Sequence, residues 1–112
     1  MRHWSEEIAR DYLLAQGFEL LAENYAVRGG EIDLVLKDGA VTVFAEVRQR
    51  GSSRYGDAAA SISPAKLARL RRAALHYLVK AYGRDDVPVR FDAVLLDGPR
   101  QNYRLQHLRN IG

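Results

Sequence analysis

The chain has 112 residues, of which 47% are hydrophobic and none is cysteine, and its formal charge is +3 at pH 7. We expect one domain over residues 1–112 with a modest core and without room for a second catalytic domain. A chain without cysteine has no disulfide-linked partner, no thiolate metal site and no cysteine-dependent catalysis, and it is typical of a reducing compartment.

The N-terminal segment is charged and amphipathic. It has no apolar stretch of the kind found in signal peptides or membrane spans, so we expect a cytoplasmic protein that does not enter a membrane. Residues 4–16 place apolar side chains on one side of a 3.6-residue period, and Gly17 ends the pattern. This segment predicts helix one.

The next segments predict three strands. Residues 18–27, FELLAENYAV, are rich in aromatic and aliphatic side chains and predict the first strand, and residues 28–30 predict a turn. Residues 31–37 and 40–48 flank the pair Asp38-Gly39. An Asp-Gly pair between two apolar runs indicates a β-hairpin.

This hairpin would bring carboxylates together. If Asp38 and Gly39 are the two central turn residues, Glu31 lies opposite Glu46, and Asp33 is the diagonal neighbour of Glu46, about 7–8 Å away at the backbone. Period-two alternation puts one set of residues on the carboxylate face: Glu31, Asp33, Phe44, Glu46 and Arg48. We expect the other face to be the core face, with Ile32, Leu34, Leu36, Val41, Val43, Ala45 and Val47.

The second half of the chain predicts a loop, a helix and one or two strands. The loop covers residues 49–61, and the capping pair Ser63-Pro64 starts helix two, predicted over residues 64–82. Residues 89–97 predict a strand inside the sheet, and residues 102–108 a short edge strand. The order α-β-β-β-α-β predicts an α/β domain with helices packed on a mixed sheet of four to five strands.

Like charges that face each other on a sheet destabilise it unless a proton, an arginine or a divalent cation neutralises them. Oxygen ligands without histidine or cysteine beside them favour Mg²⁺ or Mn²⁺ over Zn²⁺. Asp33 and Glu46 are the candidate ligands, and Glu31 or Glu6 would complete the shell, since Glu6 borders the apolar stripe of helix one. The alternative is that Glu31 and Asp33 form ordinary surface ion pairs with the arginines at the end of the hairpin.

Basic side chains concentrate after the hairpin. Residues 48–72 contain one acid and seven basic side chains: Arg48, Arg50, Arg54, Lys66, Arg69, Arg71 and Arg72. Lys66, Arg69 and Arg72 advance by three residues and so line one side of helix two. With Arg50, Arg54 and the stacking candidate Tyr55, they indicate sequence-tolerant contacts to DNA. The alternative is a solvated helix face.

Four segments carry a family resemblance: GGEIDLV, VFAEVRQR, YGDAAASISPAK and VRFDAV. In this order and spacing they resemble the YraN family, largely uncharacterised bacterial proteins similar to Holliday-junction resolvases. The resemblance covers nearly the whole chain. It implies a restriction-endonuclease-like fold in which acids hold Mg²⁺ for phosphodiester hydrolysis.

The resemblance also implies roles for particular residues. Glu6 matches the acid of helix one, Asp33 the strand aspartate, and Glu46 the first residue of a Glu-x-Lys pair. Position 48 departs from the pattern, because Arg48 stands where the lysine is expected. An arginine stays protonated, so Arg48 can stabilise negative charge but cannot act as a base. Lys66 matches another family position and would supply an amine if its helix end faces the site.

Three functional interpretations follow. The first is a metal-dependent nuclease that acts on DNA, including branched or damaged DNA. The second is a nucleic-acid-binding module of the same fold without hydrolysis, which Arg48 favours. The third is a small protein-interaction domain whose acids form ion pairs. The similarity to resolvases also suggests a homodimer that would present two sites to a symmetric junction.

Overall fold

The architecture is taken from a computed structural model that describes residues 3–51 and 56–112. In these ranges the chain forms, in order, α1 (Trp4–Ala15), β1 (Glu19–Val27), β2 (Gly30–Asp38), β3 (Val41–Arg50), α2 (Asp57–Ala60), α3 (Pro64–Tyr82), β4 (Val89–Asp97) and β5 (Arg104–Leu108). The predicted α-β-β-β-α-β order is confirmed, and the short edge strand predicted near the C-terminus is β5.

The strands form one mixed sheet in the order β1-β2-β3-β4-β5. Neighbouring strands are antiparallel except β3 and β4, which are parallel. A parallel pair needs a long crossover connection, and here α3 lies within that connection. The predicted mixed sheet with flanking helices is therefore confirmed.

Helices cover both faces of the sheet. On the α1 face, Leu34, Leu36 and Val43 pack with Ala9 and Leu13 of the helix. On the α3 face, Ile32, Val35 and Phe44 pack with Leu70, Ala73 and Ala74. The expectation of a single core face was thus wrong, since Phe44 from the predicted carboxylate face is fully buried against α3.

The same packing shows where the alternation of β2 changes phase. Ile32 packs on the α3 face, whereas Leu34, two residues later, packs on the α1 face. Regular period-two geometry would keep both on one face. The change therefore occurs at Asp33, and the assignment of Ile32 to the same face as Leu34 was wrong.

The hairpin turn lies one residue later than predicted. Asp38 pairs with Val41, so the central turn residues are Gly39 and Ala40, and Gly39 has a φ of 61°. The pairing is shifted by two residues from the predicted one, and an even shift does not by itself turn side chains to the other face. The last pair of the ladder away from the turn is Leu34 with Ala45, and one further step sets Asp33 rather than Glu31 beside Glu46.

Of the two remaining predicted elements, the helix agrees with the structure and the loop agrees only in part. Helix two is confirmed as α3, and the Ser63 side chain accepts a hydrogen bond from the Lys66 backbone N–H at its N-terminus. The predicted loop over residues 49–61 is partly wrong, because residues 49–50 extend β3 and Asp57–Ala60 forms α2. Arg54 and Tyr55 lie outside the described residues.

In the described part of the chain, no helix combines the length and the apolar character needed to cross a membrane.

Gly30 tests the contact between the sheet and α3. A Cβ atom at this position would collide with the carbonyl oxygen of Arg69, whereas a Cβ at Gly51 would meet nothing within 4 Å. We expect Gly30→Ala to lower the free energy of unfolding by about 2–3 kcal/mol, because α3 must move away from the sheet. Gly51→Ala is the matched control. Equal urea denaturation midpoints for the two variants would contradict the close packing.

Candidate functional site

The carboxylates meet at the end of the β2–β3 hairpin away from its turn. A hollow of about 320 Å³, called here the acidic hollow, is lined by His3, Ser5, Glu6, Glu31, Asp33, Glu46, Val47, Arg48, Gln49 and Arg50. A smaller hollow of about 30 Å³ lies beside it and is lined by Glu31, Glu46, Lys66 and Arg69. The structure therefore brings together all four acids predicted from the sequence: Glu6, Glu31, Asp33 and Glu46.

Asp33 is held by the backbone of the neighbouring strand. Its Oδ2 accepts a hydrogen bond from the Val47 backbone N–H at 2.8 Å, just beyond the last backbone pair of the ladder. Burial raises the pKa of Asp33 to about 6; the bond from Val47 acts against this rise, while the charges of Glu6 and Glu31 add to it. The positive charge of the nearby Arg48 lowers the pKa of Asp33, but by less than burial raises it.

Glu46 is in a similar position on β3. Burial is the main reason that its pKa is raised to about 7, and the negative charge of Asp33 is the second-largest cause. Arg48 and Lys66 act in the opposite direction. Near neutral pH this carboxyl group is therefore divided between its protonated and ionised forms, as expected for two carboxylates that share a low-dielectric site.

Arg48 is oriented by the segment after β3. Its Nη1 lies 3.6 Å from the Glu46 carboxylate, and its Nε donates to Ser61 Oγ at 2.9 Å. Ser61 Oγ in turn donates to the Ala58 carbonyl at 2.6 Å. The buried Asp97 accepts from the Ala58 N–H at 2.7 Å and so ties α2 to the end of β4. Arg48 thus has a fixed direction toward the acids.

Ser61 and Asp97 were missed by the sequence analysis. Asp97 ends a strongly apolar strand just before a glycine, which is the usual pattern of a turn. Ser61 lies in a segment that was predicted as a loop. The signal that could have identified them is the short run Asp57–Ala60, because even one helical turn needs a partner for its first N–H groups.

The predicted DNA-contacting residues divide into three groups. Lys66, half-buried at the start of α3, and the exposed Arg69 border the smaller hollow, and the exposed Arg50 borders the acidic hollow. Arg72 lines neither, since its Nη1 donates to the Gly29 carbonyl at 2.6 Å. Arg54 and Tyr55, which were predicted beside them, are outside the described ranges.

His3 and Ser5 also line the acidic hollow and were not predicted as site residues. The His3 side chain caps α1, and its Nδ1 accepts from the Ser5 backbone N–H at 3.2 Å and lies 2.6 Å from Ser5 Oγ. A backbone N–H can only donate, so Nδ1 is the acceptor, and the hydrogen of a neutral ring is on Nε2. Histidine is not among the residue types that usually cap a helix, so the sequence carried no specific signal for this role.

The described part of the structure does not contain the ion pairs that the alternative interpretation predicted. Within residues 3–51 and 56–112, Arg48 pairs with Glu46, and neither Glu31 nor Asp33 forms an ion pair with Arg48 or Arg50. The nearest charged partners of Asp33 therefore leave its carboxylate only partly compensated. Ordinary surface pairing does not account for this site.

Another buried carboxylate, Asp92, belongs to a separate network. It accepts hydrogen bonds from Arg90 at 2.8 and 3.0 Å and from the Asn110 N–H at 3.1 Å, and it contacts His107 Nε2 at 2.9 Å. Its partners thus satisfy both of its oxygens. Asp92 joins β4 to the segment after β5 and is not part of the acidic hollow.

The donor set fits a hard divalent cation with two protein ligands. In the described part of the chain, no three histidine, aspartate or glutamate side chains are close enough together to form a ready-made metal site. Mg²⁺, however, is commonly held by one or two carboxylates, with water and substrate phosphate as its other ligands. Asp33 and Glu46 can supply those two, and their mutual repulsion is what a cation would relieve.

Comparison with known proteins shows which protein family this chain is related to. Residues 5–96 match the model of the Uncharacterised protein family UPF0102. The chain belongs to this family. It is the YraN family that the sequence motifs indicated.

Several relatives in UPF0102 match most of the chain. The UPF0102 protein NE0711 of Nitrosomonas europaea is 47% identical over 106 residues, which are 95% of this chain and 87% of that relative. The UPF0102 protein TTHA0372 of Thermus thermophilus is 43% identical over 105 residues, 94% of this chain and 90% of that relative. A UPF0102 protein of Deinococcus radiodurans is 44% identical over 105 residues, which are 93% and 85% of the two chains.

The raised pKa of Glu46 predicts a pH-dependent stability. A carboxyl group with a folded-state pKa above its unfolded value stabilises the fold while protonated, and this stability is lost as the pH rises from about 4 toward 7. At pH 8 we expect Glu46→Gln to have a free energy of unfolding about 1–2 kcal/mol larger than the wild type, and therefore a higher urea midpoint. Near pH 4 the two proteins should have the same stability. Glu7→Gln, on the exposed side of α1, is the control. A constant difference at all pH values would contradict the prediction.

Proposed function

We propose that this protein is a metal-dependent endonuclease-like protein that acts on DNA phosphodiester bonds. One observation carries the proposal: two part-buried carboxylates, Asp33 and Glu46, line the acidic hollow together with Arg48, and Glu46 also lines the smaller hollow beside it together with Lys66. In metal-dependent phosphodiester hydrolysis, acidic side chains hold the cation, and basic side chains stabilise the negative charge of the phosphate.

Mg²⁺ or Mn²⁺ would be held by Asp33 and Glu46, with Glu6 and Glu31 acting through water. When bound, such a cation makes a water molecule more acidic and neutralises charge on the phosphate. The protein supplies the geometry. The Asp33 carboxylate is kept in place by the Val47 N–H, so one ligand is already oriented before the cation binds.

Arg48 and Lys66 would contact the phosphate. Arg48 is held by Ser61 and points its guanidinium toward Glu46, where it can stabilise negative charge that develops during hydrolysis. The backbone N–H of Lys66 is capped by Ser63, which places the residue in the first turn of α3, beside Glu46. Lys66 therefore brings an amine to the site from another element than the strand where the family pattern expects it.

The DNA backbone would follow the cations around the two hollows. Arg50 lies on the β3 side and Arg69 on the α3 side, with the carboxylates between them. Phosphate contacts of this kind fix the position of the DNA without reading its sequence. A preference for branched or damaged DNA, and a homodimer that presents two such sites, are the finer forms of the same proposal.

A second candidate function is DNA binding without hydrolysis. The observation in its favour is Arg48, since an arginine cannot remove a proton from water. Its hydrogen bond to Ser61 also commits its Nε to the protein. In this case the basic side chains would still bind phosphate, and the acidic side chains would have no catalytic role.

A cleavage assay separates the two functions. Labelled single-stranded, duplex, flap and four-way-junction DNA would be incubated with the protein and Mg²⁺, Mn²⁺ or EDTA. We expect cleavage that requires a divalent cation and disappears in Asp33→Asn and Glu46→Gln, because each change removes a carboxylate ligand. Glu7→Gln should cleave normally. Binding without cleavage, equal in all four proteins, would support the second function instead.

Salt dependence tests the DNA path. We expect Lys66→Ala and Arg69→Ala each to weaken duplex binding and to reduce the slope of log K against log salt by roughly one. Arg84→Ala is the matched control, since Arg84 is exposed and paired with Asp86 on the loop after α3. Fluorescence anisotropy between about 50 and 200 mM salt would measure the slopes. Slopes that do not change in the α3 variants would show that this surface is only solvated.

A further inference from the structure

Helix α3 carries an apolar stripe that the fold does not bury. Leu75 and Val79 are one turn apart and are 51% and 53% exposed, more than any other large hydrophobic residue in the described ranges. The stripe that packs on the sheet is a different one, with Leu70, Ala74 and Leu78. One apolar face is enough to hold a helix on a sheet. The second stripe therefore has no role in the described fold.

These two residues line a groove between α3 and the end of β1. The first part of the groove has a volume of about 750 Å³ and is lined by Val27, Arg28, Arg72, Leu75, His76, Val79 and Lys80. A second hollow of about 340 Å³ contains Leu21, Tyr25 and Tyr77. Lys80 lines both. The α3 groove, as we call the two together, thus has two mainly apolar parts that share the ammonium group of Lys80, and His76 of the first part is hydrogen-bonded to Tyr25 of the second.

The charges around the α3 groove have one sign. Arg28, Arg72 and Lys80 line it, whereas no aspartate or glutamate does. Within the part of the chain that the structure describes, none of these three cations forms an ion pair with a carboxylate. A partner that covers this surface would therefore need negative charge as well as apolar side chains.

We propose that the α3 groove binds an acidic peptide segment of another protein, in which two apolar side chains flank a carboxylate. One apolar residue would enter the first hollow and bury Leu75 and Val79, the other would enter the second hollow, and the carboxylate would meet Lys80. Short peptides are commonly recognised by apolar side chains that enter a hydrophobic groove of the partner. DNA fits this surface less well, because phosphates bind cations and leave an apolar floor uncovered.

The α3 groove is adjacent to the candidate nuclease site without being part of it. Arg72 lines the groove and donates to the Gly29 carbonyl, in the turn that leads through Gly30 to Glu31. A bound segment would contact the same guanidinium that holds this turn. The inference goes beyond the proposed function and does not depend on hydrolysis.

The test begins with selection of peptides. A phage library of random dodecapeptides would be selected on the immobilised wild-type protein, after depletion on Val79→Asp. We expect the recovered peptides to share an acidic residue between two apolar ones. A labelled peptide from this set should bind the wild type in fluorescence anisotropy and should bind Val79→Ser and Lys80→Glu at least tenfold more weakly.

Controls keep the result specific. Leu14→Ser changes an exposed leucine on α1, 40% exposed and outside the groove, and should bind the peptide as the wild type does. Thermal unfolding by circular dichroism would show that each variant is folded. Because peptide binding is measured without cleavage, a failure of the nuclease assay would leave this result unchanged.

Three outcomes would overturn the proposal. The first is a selection that recovers no acidic and apolar motif, or peptides that bind the groove variants equally well. The second is displacement of the peptide by a duplex whose own binding is weakened by Lys80→Glu but not by Val79→Ser, which would make this a DNA contact. The third is a dimer in sedimentation that Val79→Ser dissociates, which would make a second copy of the chain the occupant.

Discussion

The hydrogen bond from the Val47 N–H to the Asp33 carboxylate is the interaction on which the candidate site depends. It stands where the antiparallel ladder of β2 and β3 would otherwise continue past Leu34 and Ala45. A carboxylate takes the place of a backbone acceptor, so the hairpin stays joined while its end opens. The same point is where the alternation of β2 changes phase, with Ile32 on one face and Leu34 on the other.

The opening of the hairpin has an electrostatic consequence. Asp33 and Glu46 lie on adjacent strands in a part-buried environment, and burial raises the pKa of both. A protein gains nothing in stability from such a pair, because each charge is desolvated and repels the other. A bound cation or phosphate would relieve the charges that the fold leaves partly compensated beside Arg48 and Lys66, and this is the basis of the proposed function.

Helix α3 connects the site to the rest of the molecule in three ways. Its N-terminus brings Lys66 to Glu46, its inward stripe buries one face of the sheet, and its outward stripe lines the α3 groove. The close approach is possible because Gly30 has no side chain where the carbonyl of Arg69 passes. A larger residue there would move all three surfaces together. The candidate nuclease site and the α3 groove are therefore both formed in part by residues of the same packed helix.

The local features of this protein could be read from the sequence, because they depend on neighbours along the chain. Apolar periodicity, Ser63-Pro64 and the Asp-Gly pair predicted the helices and strands, and the acidic residues that gather in the hollow were all among the candidates. The hairpin register was wrong by two residues, since an Asp-Gly pair can be the centre of a turn or its start. An even shift of register does not by itself turn side chains to the other face, so Asp33 and Glu46 remained neighbours despite the error; Ile32 lies on the other face because of the phase change at Asp33.

Contacts between distant segments were decided only by the tertiary structure. The sequence by itself determined which chemical groups are available: carboxylates on a hairpin, an arginine in place of a lysine, and cations spaced along a helix. The structure decided that Ser61 holds Arg48, that Lys66 rather than Arg72 faces the acids, and that Leu75 and Val79 remain exposed. The physical reason is that these contacts follow from how closely α3 and α2 pack on the sheet, which depends on many side chains at once and not on the spacing of any one motif.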